Sequence, residues 1–180
     1  MKILRRLILT LIAFVALEAT ASEPIKGYRG FVDLNAEAVF KKKYPQSSHD
    51  IVYSISSVTT TQGYQFNKHF FAGGGLGLAF GTTNYDWFSC GIAIPVYASG
   101  RADWNIGKVP LFADLRLGSY LNSDGFVNWM FINPSIGYRC AVSRKIALNI
   151  GVGTSIHCFE RFPDSTGKAM LSVKLGIEFH

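Results

Sequence analysis

Ala169-Met170-Leu171-Ser172-Val173-Lys174-Leu175-Gly176-Ile177-Glu178-Phe179-His180 decides the fold. Ala169, Leu171, Val173, Leu175, Ile177 and Phe179 are apolar, and the residues between them are mostly small or polar. Such strict alternation is the mark of a strand with one oily face. A helix would set Lys174 and Glu178 on the same side as Leu171 and Leu175. An oily strand face needs a cover, either lipid or protein.

Working back from this stretch, seven more segments alternate in the same way. They run from Gly27 to Phe40, Ile51 to Phe66, His69 to Phe80, Phe88 to Ala102, Val109 to Leu121, Trp129 to Val142 and Ile146 to His157. The second is the weakest: Val58, Thr60, Tyr64 and Phe66 share a face, and Ile55 has the opposite parity, which suggests a bulge there. Turns are expected at Asn67-Lys68, from Asp103 to Lys108 and from Ser143 to Lys145. Longer polar connections follow the odd-numbered segments. An even count with alternating short and long connections is the pattern of an all-β, eight-stranded antiparallel up-and-down barrel. Two hairpins echo each other, Gly63 through Gly75 and Gly137 through Gly153. Charged residues make up 17% of the 180 residues and glycines number 18, a composition that argues against both a helical bundle and disorder.

Residues 1–21 read as an export signal and residues 22–180 as one barrel domain. Lys2, Arg5 and Arg6 precede an apolar run from Leu7 to Leu17 that is too short to span a bilayer, and Ala19-Thr20-Ala21 supplies the small-x-small cleavage pattern. Removing the signal takes away Lys2, Arg5, Arg6 and Glu18, so the net charge falls from +6 to about +4. This mild basicity does not suggest nucleic acid. Cys90, Cys140 and Cys158 lack metal-ligand spacing. One pair is compatible with a disulfide in an exported protein; small core or lipid-facing residues are the other reading.

Two features say which face is inside. The apolar faces are nearly free of charge, and a Lys or Arg facing mid-bilayer lipid costs about 2–4 kcal/mol. The opposite faces carry Gly, Ser, Asn and isolated charges, too bare for a solvated surface, with bulky Phe31, Phe71, Tyr97 and Phe112 among them. The expected barrel is therefore transmembrane and inverted, with lipid outside. Its lumen would hold Asp33, Glu37, Asp114 and Glu178 against Arg29, Arg101, Arg116, Arg139 and Lys174. Buried charges need partners. Arg29 and Glu178 are expected to meet where the first and last strands close the barrel. Aromatic girdles are expected from Tyr64, Phe66, Phe70 and Tyr138 at the short turns, and from Phe40, Phe80, Trp87 and Trp129 at the long loops.

With this pattern the whole mature chain resembles the small eight-stranded outer-membrane barrels, of the OmpA transmembrane-domain and OmpX kind. The resemblance implies an outer-membrane location and a non-enzymatic structural or surface-interaction role. Its partners would be outer-membrane lipid, the barrel insertion machinery and an envelope or surface partner met by the outer loops. It also implies that the insertion machinery reads a terminal aromatic, here Phe179 with Ile177 and Leu175 behind it, although Phe179 is penultimate. A peptidoglycan-binding extension is not expected.

Two alternative functions are an exported soluble barrel around an apolar ligand and a lipid-modifying enzyme. Ser155 and His157 share the inward face near the loop rim, followed by Glu160. A Ser–His pair can supply a nucleophile and its base. Catalysis on lipid needs contact with lipid, and this parity points both residues into the lumen, so no catalysis is expected. His157, Cys158 and Glu160 are a weak metal set, and neither a metal nor a cofactor is expected. Eight strands enclose little more than their own side chains, which argues against conduction. Lys41, Lys42 and Lys43 lie in the first long loop, where they would be solvated or meet anionic head groups.

Overall fold

The computed structural model describes residues 26–38, 53–83, 91–122, 127–143, 145–159 and 168–180. Eight strands form: β1 Gly27–Ala38, β2 Tyr53–Gln65, β3 Phe70–Thr83, β4 Gly91–Ile106, β5 Val109–Asn122, β6 Val127–Ala141, β7 Ile146–Phe159 and β8 Lys168–Phe179. Each pairs antiparallel with the next, and β8 returns to β1, from Gly30↔Phe179 to Ala38↔Leu171, to close the barrel.

The turns at one rim are made by local chemistry. Gly107 adopts φ +62°, a left-handed conformation that suits glycine, and Ile106 pairs with Val109 across a two-residue turn. Asn67 Oδ1 accepts the backbone N–H groups of His69 at 2.8 Å and Phe70 at 2.9 Å. Ser143 Oγ accepts the N–H of Ile146 at 3.1 Å.

Two sequence expectations are corrected. The turn expected from Asp103 to Lys108 shrinks to Gly107 and Lys108, because β4 stays paired with β5 as far as Ile106. No bulge forms at Ile55: the register runs unbroken past it on both sides. Ile55 has the parity of the interior, where it packs on the cluster of Ala79, Tyr97, Tyr120 and Phe131. Among the described residues, one register shift occurs, between Tyr120 and Leu121. The ladders also lapse beside Pro95 and Pro134, which have no N–H to give.

Parity holds around the barrel. Leu34, Leu76, Ile92, Leu115, Ile136, Ile150 and Leu175 face out and are exposed, while Phe31, Phe71, Tyr97, Phe112, Tyr120 and Phe131 fill the interior. The two echoing hairpins make room for interior rings. Gly63 and Gly73 pair across β2–β3, and a Cβ on either would stand 2.7 Å from the Phe71 ring. Gly137 and Gly151 pair across β6–β7 beneath Phe112. Tyr64, Phe66 and Phe70 form an exposed aromatic belt at the turn rim, joined by Tyr28 and Trp104, while Tyr138 is half-buried. Phe80 is exposed toward the other rim. Phe40, Trp87 and the Trp129 side chain lie outside the described residues, as do Lys41–Lys43, residues 1–21, Cys90, Glu160 and the Cys158 side chain. Cys140 is a free thiol.

Candidate functional site: the charged lumen

Every strand except β3, whose described inward positions are Phe71, glycines and Ala79, sends polar side chains inward, and they assemble in three tiers along the barrel axis. The tier nearest the turns centres on Glu178 of β8, which is fully buried. Arg29 Nη2 of β1 donates to Glu178 Oε2 at 2.8 Å, and Arg139 Nε of β6 donates to Oε1 at 2.9 Å. Arg101 Nη2 of β4 lies 3.6 Å from Oε2, and Asn149 Nδ2 of β7 donates to it at 3.2 Å. Three guanidinium groups thus share one carboxylate. Asp103 of β4 offsets one further positive charge, accepting from Arg29 and from Arg101 Nε. Gln65 Oε1 accepts from Arg29 Nη1 at 2.6 Å. The Arg101 guanidinium carbon sits 3.8 Å from the centre of the Phe112 ring, so the ionic layer rests on an aromatic one.

In the middle tier, Arg116 of β5 reaches across to Asp33 of β1. Its Nε donates to Asp114 Oδ2 at 3.0 Å, and Lys174 of β8 shares that carboxylate. Ser99 Oγ donates to Asp114 Oδ1 at 2.9 Å.

The loop-side tier holds Glu37, His157, Asn133 and Ser155. Asn133 Nδ2 donates to Glu37 Oε1 at 3.2 Å and to Ser172 Oγ at 3.2 Å. His157 Nε2 lies 2.9 Å from Glu37 Oε2 and 2.9 Å from Ser155 Oγ, with Tyr120 stacked on its ring at 5.6 Å. Both contacts fall on the same nitrogen. A nucleophile relay needs the serine on one ring nitrogen and the acid on the other. Nε2 that donates its proton to Glu37 has no lone pair left to take one from Ser155. Ser155, His157 and Glu37 thus form a buried hydrogen-bonded cluster. Among the described residues no group of His, Cys, Asp and Glu has the geometry to hold a metal.

All nine charged residues expected in the lumen, Arg29, Asp33, Glu37, Arg101, Asp114, Arg116, Arg139, Lys174 and Glu178, are buried there. Sequence reasoning missed Asp103, which it had assigned to a turn. Asp103 continues the inward alternation of Tyr97, Ser99 and Arg101, and that parity was the signal available. With it the buried ions among the described residues balance, five cations against five acids. The polar partners Gln65, Asn133 and Asn149 were also missed; among uncharged residues, parity gives the face and not the role. Leu175 and Ile177 lie on the outer face, and Phe179 rests half-buried over Gly30 beside Tyr28.

No protein-family model matches the chain, and no curated protein sequence is similar to it. Among solved structures, one from a study titled "De novo design of transmembrane beta-barrels" is similar with a TM-score of 0.39 and 16% identity, over 87% of this chain and 98% of that one. The KdgM porin in complex with disordered oligogalacturonate is similar with a TM-score of 0.27 and 9% identity, over 83% of this chain and 98% of that one.

Proposed function

We propose that this chain is an integral outer-membrane β-barrel protein with a structural or surface-interaction role, its lumen closed by ion pairs and its loops left to meet the envelope or a partner. One observation carries the reading: the barrel is inside out relative to a water-soluble protein. Ile136 is 63% exposed and Leu34 57%, while Arg29 and Glu178 are 0% exposed. Soluble proteins rarely show a contiguous apolar patch of more than a few hundred Å². Here most of the described outer wall is such a patch, and lipid is the solvent that suits it. Strands of 12 to 16 residues exceed the roughly 9–11 needed to cross a bilayer at a tilt.

The expected export signal supports the outer membrane as the destination, and Leu175 and Ile177 on the outer face of β8 suit lipid. A soluble barrel around an apolar ligand fits poorly, because the lumen is lined by ion pairs. The small bore of an eight-stranded barrel argues against conduction. The geometry at Ser155 and His157 supports a non-catalytic role. Fractionation of cells expressing the chain tests the reading. The protein should sediment with outer membranes and need detergent for extraction. A mature chain that stays soluble and monomeric without detergent would overturn it.

A further inference from the structure

The unbalanced positive charge falls, by sequence position, at the short turns and just before β1. Among the described residues the buried charges balance, with five cations against five acids. The long connections with the first residue of β8 are balanced too: Lys41, Lys42, Lys43, Arg161 and Lys168 stand against Asp50, Asp86, Asp124, Glu160 and Asp164 in the sequence. What remains is Lys26, Lys68, Lys108, Arg144 and Lys145, with Glu23 the one acid near them in the sequence. Lys26 precedes β1, and Lys68, Lys108 and Lys145 sit one to each short turn, so the excess among the described residues is spread around the turn rim. Lys26, Lys68, Lys108 and Lys145 are exposed, and none of them makes an ion pair among the described residues. The acids nearest this rim, Asp103 and Glu178, are turned inward and held by arginines. The same rim carries the exposed belt of Tyr28, Tyr64, Phe66, Phe70 and Trp104.

We propose that the turn rim is a binding collar for anionic phospholipid head groups, in which the turn lysines take the phosphates and the aromatic belt beneath them sits at the head-group level. The inference rests on the membrane reading above and names the lipid class that reading leaves open. Lipid is favoured over a soluble polyanion because the cations stand directly above an apolar wall and aromatic belt, the layering of a bilayer interface. A flexible lysine reaching an anionic surface gains roughly fivefold in binding at low salt, and salt screens the gain.

The test uses the mature barrel in neutral detergent, titrated with short-chain phosphatidylglycerol or phosphatidylcholine and followed by native mass spectrometry. The wild type should bind phosphatidylglycerol at least tenfold more tightly. That preference should collapse in the triple variant K68Q/K108Q/K145Q and at high salt, and survive in the loop variant K41Q/K42Q/K43Q. Circular dichroism verifies that each variant keeps its strands, and the single variants K68Q and K108Q should each lose part of the preference. Equal binding of the two lipids, or equal preference in wild type and triple variant, overturns the proposal. So does tighter binding of polyaspartate than of phosphatidylglycerol, which would assign the rim to a soluble polyanion. A barrel that refolds into phosphatidylcholine vesicles yet ignores phosphatidylglycerol defeats the collar alone. A barrel that stays soluble without detergent defeats the membrane reading and the collar together.

Discussion

Arg116 and Asp33 stand on opposite walls of the barrel, on β5 and β1, and the ion pair between them spans the lumen. Both are nearly inaccessible, and Asp114 and Lys174 complete the layer. A cross-lumen bond of this kind couples walls that share no backbone hydrogen bond.

Breaking that bond from one side leaves a buried charge without its partner, which costs about 3–5 kcal/mol. Asp33→Asn and Arg116→Met should each destabilise the barrel by that order. The double variant should lose clearly less than the sum, because neither charge is then left behind. Urea unfolding of the refolded barrel in vesicles measures the cycle. Additive losses would mean that the two side chains do not act as a pair.

Glu178 is the most heavily shared group in the lumen, with Arg29, Arg101 and Arg139 around it. It also lies at the β1–β8 seam, opposite Phe31. Glu178→Gln keeps the shape, removes the charge and leaves three guanidinium groups facing one remaining acid, Asp103. The expected loss is at the upper end of the about 3–5 kcal/mol for a broken buried pair, and larger than that of Arg139→Gln. Stability of the two variants, measured side by side, checks the ranking. A smaller loss at Glu178 would show that the arginines find other anions or water.

How much of this was legible in the sequence depends on the physical signal each feature leaves. Alternation leaves a strong one wherever Leu, Val and Ile trade places with Gly and charge, as along β8 and β7. The seam could also be foreseen, since Arg29 and Glu178 sit near the rim where a closed barrel brings its ends together. β2 was read poorly because Thr60 and Gln62 face out among apolar neighbours, blurring the contrast between faces. Asp103 was lost because Asp-Trp-Asn-Ile-Gly-Lys has the composition of a turn, while the structure needs only Gly107 and Lys108 for it. The partners across the lumen were out of reach for a different reason. Parity says which face a side chain takes, but its height depends on the stagger between strands, which only the register supplies.

The interior glycines offer a test of packing. At Gly137 a Cβ would stand 2.5 Å from Phe112 Cζ and press on the Ile150 carbonyl. Gly137→Ala should therefore cost about 1–3 kcal/mol, the usual penalty for overpacking. Adding Phe112→Leu should return part of that loss by freeing the space. Gly100 faces out, and nothing lies within 4 Å of its would-be Cβ. Gly100→Ala should be neutral or gain up to about 1 kcal/mol by restricting the unfolded chain. Equal effects at the two positions would mean that the lumen is looser than the structure has it.

The outer wall gives the sharpest division between the membrane and soluble readings. Leu34 lies mid-strand on β1, flanked by Val58 and Leu175, and is 57% exposed. In a bilayer, Leu34→Arg places a charge in hydrocarbon and should destabilise the folded barrel by about 2–4 kcal/mol. In water the same substitution adds a charge to a surface and should change stability by no more than about 0.5 kcal/mol. An arginine at Lys108, on the turn rim, is the control, since it keeps the charge at the interface. Unfolding measured in vesicles of fixed composition reads the difference. A large loss for Leu34→Arg beside an unchanged Lys108→Arg assigns the wall to lipid, and equal small effects assign it to water.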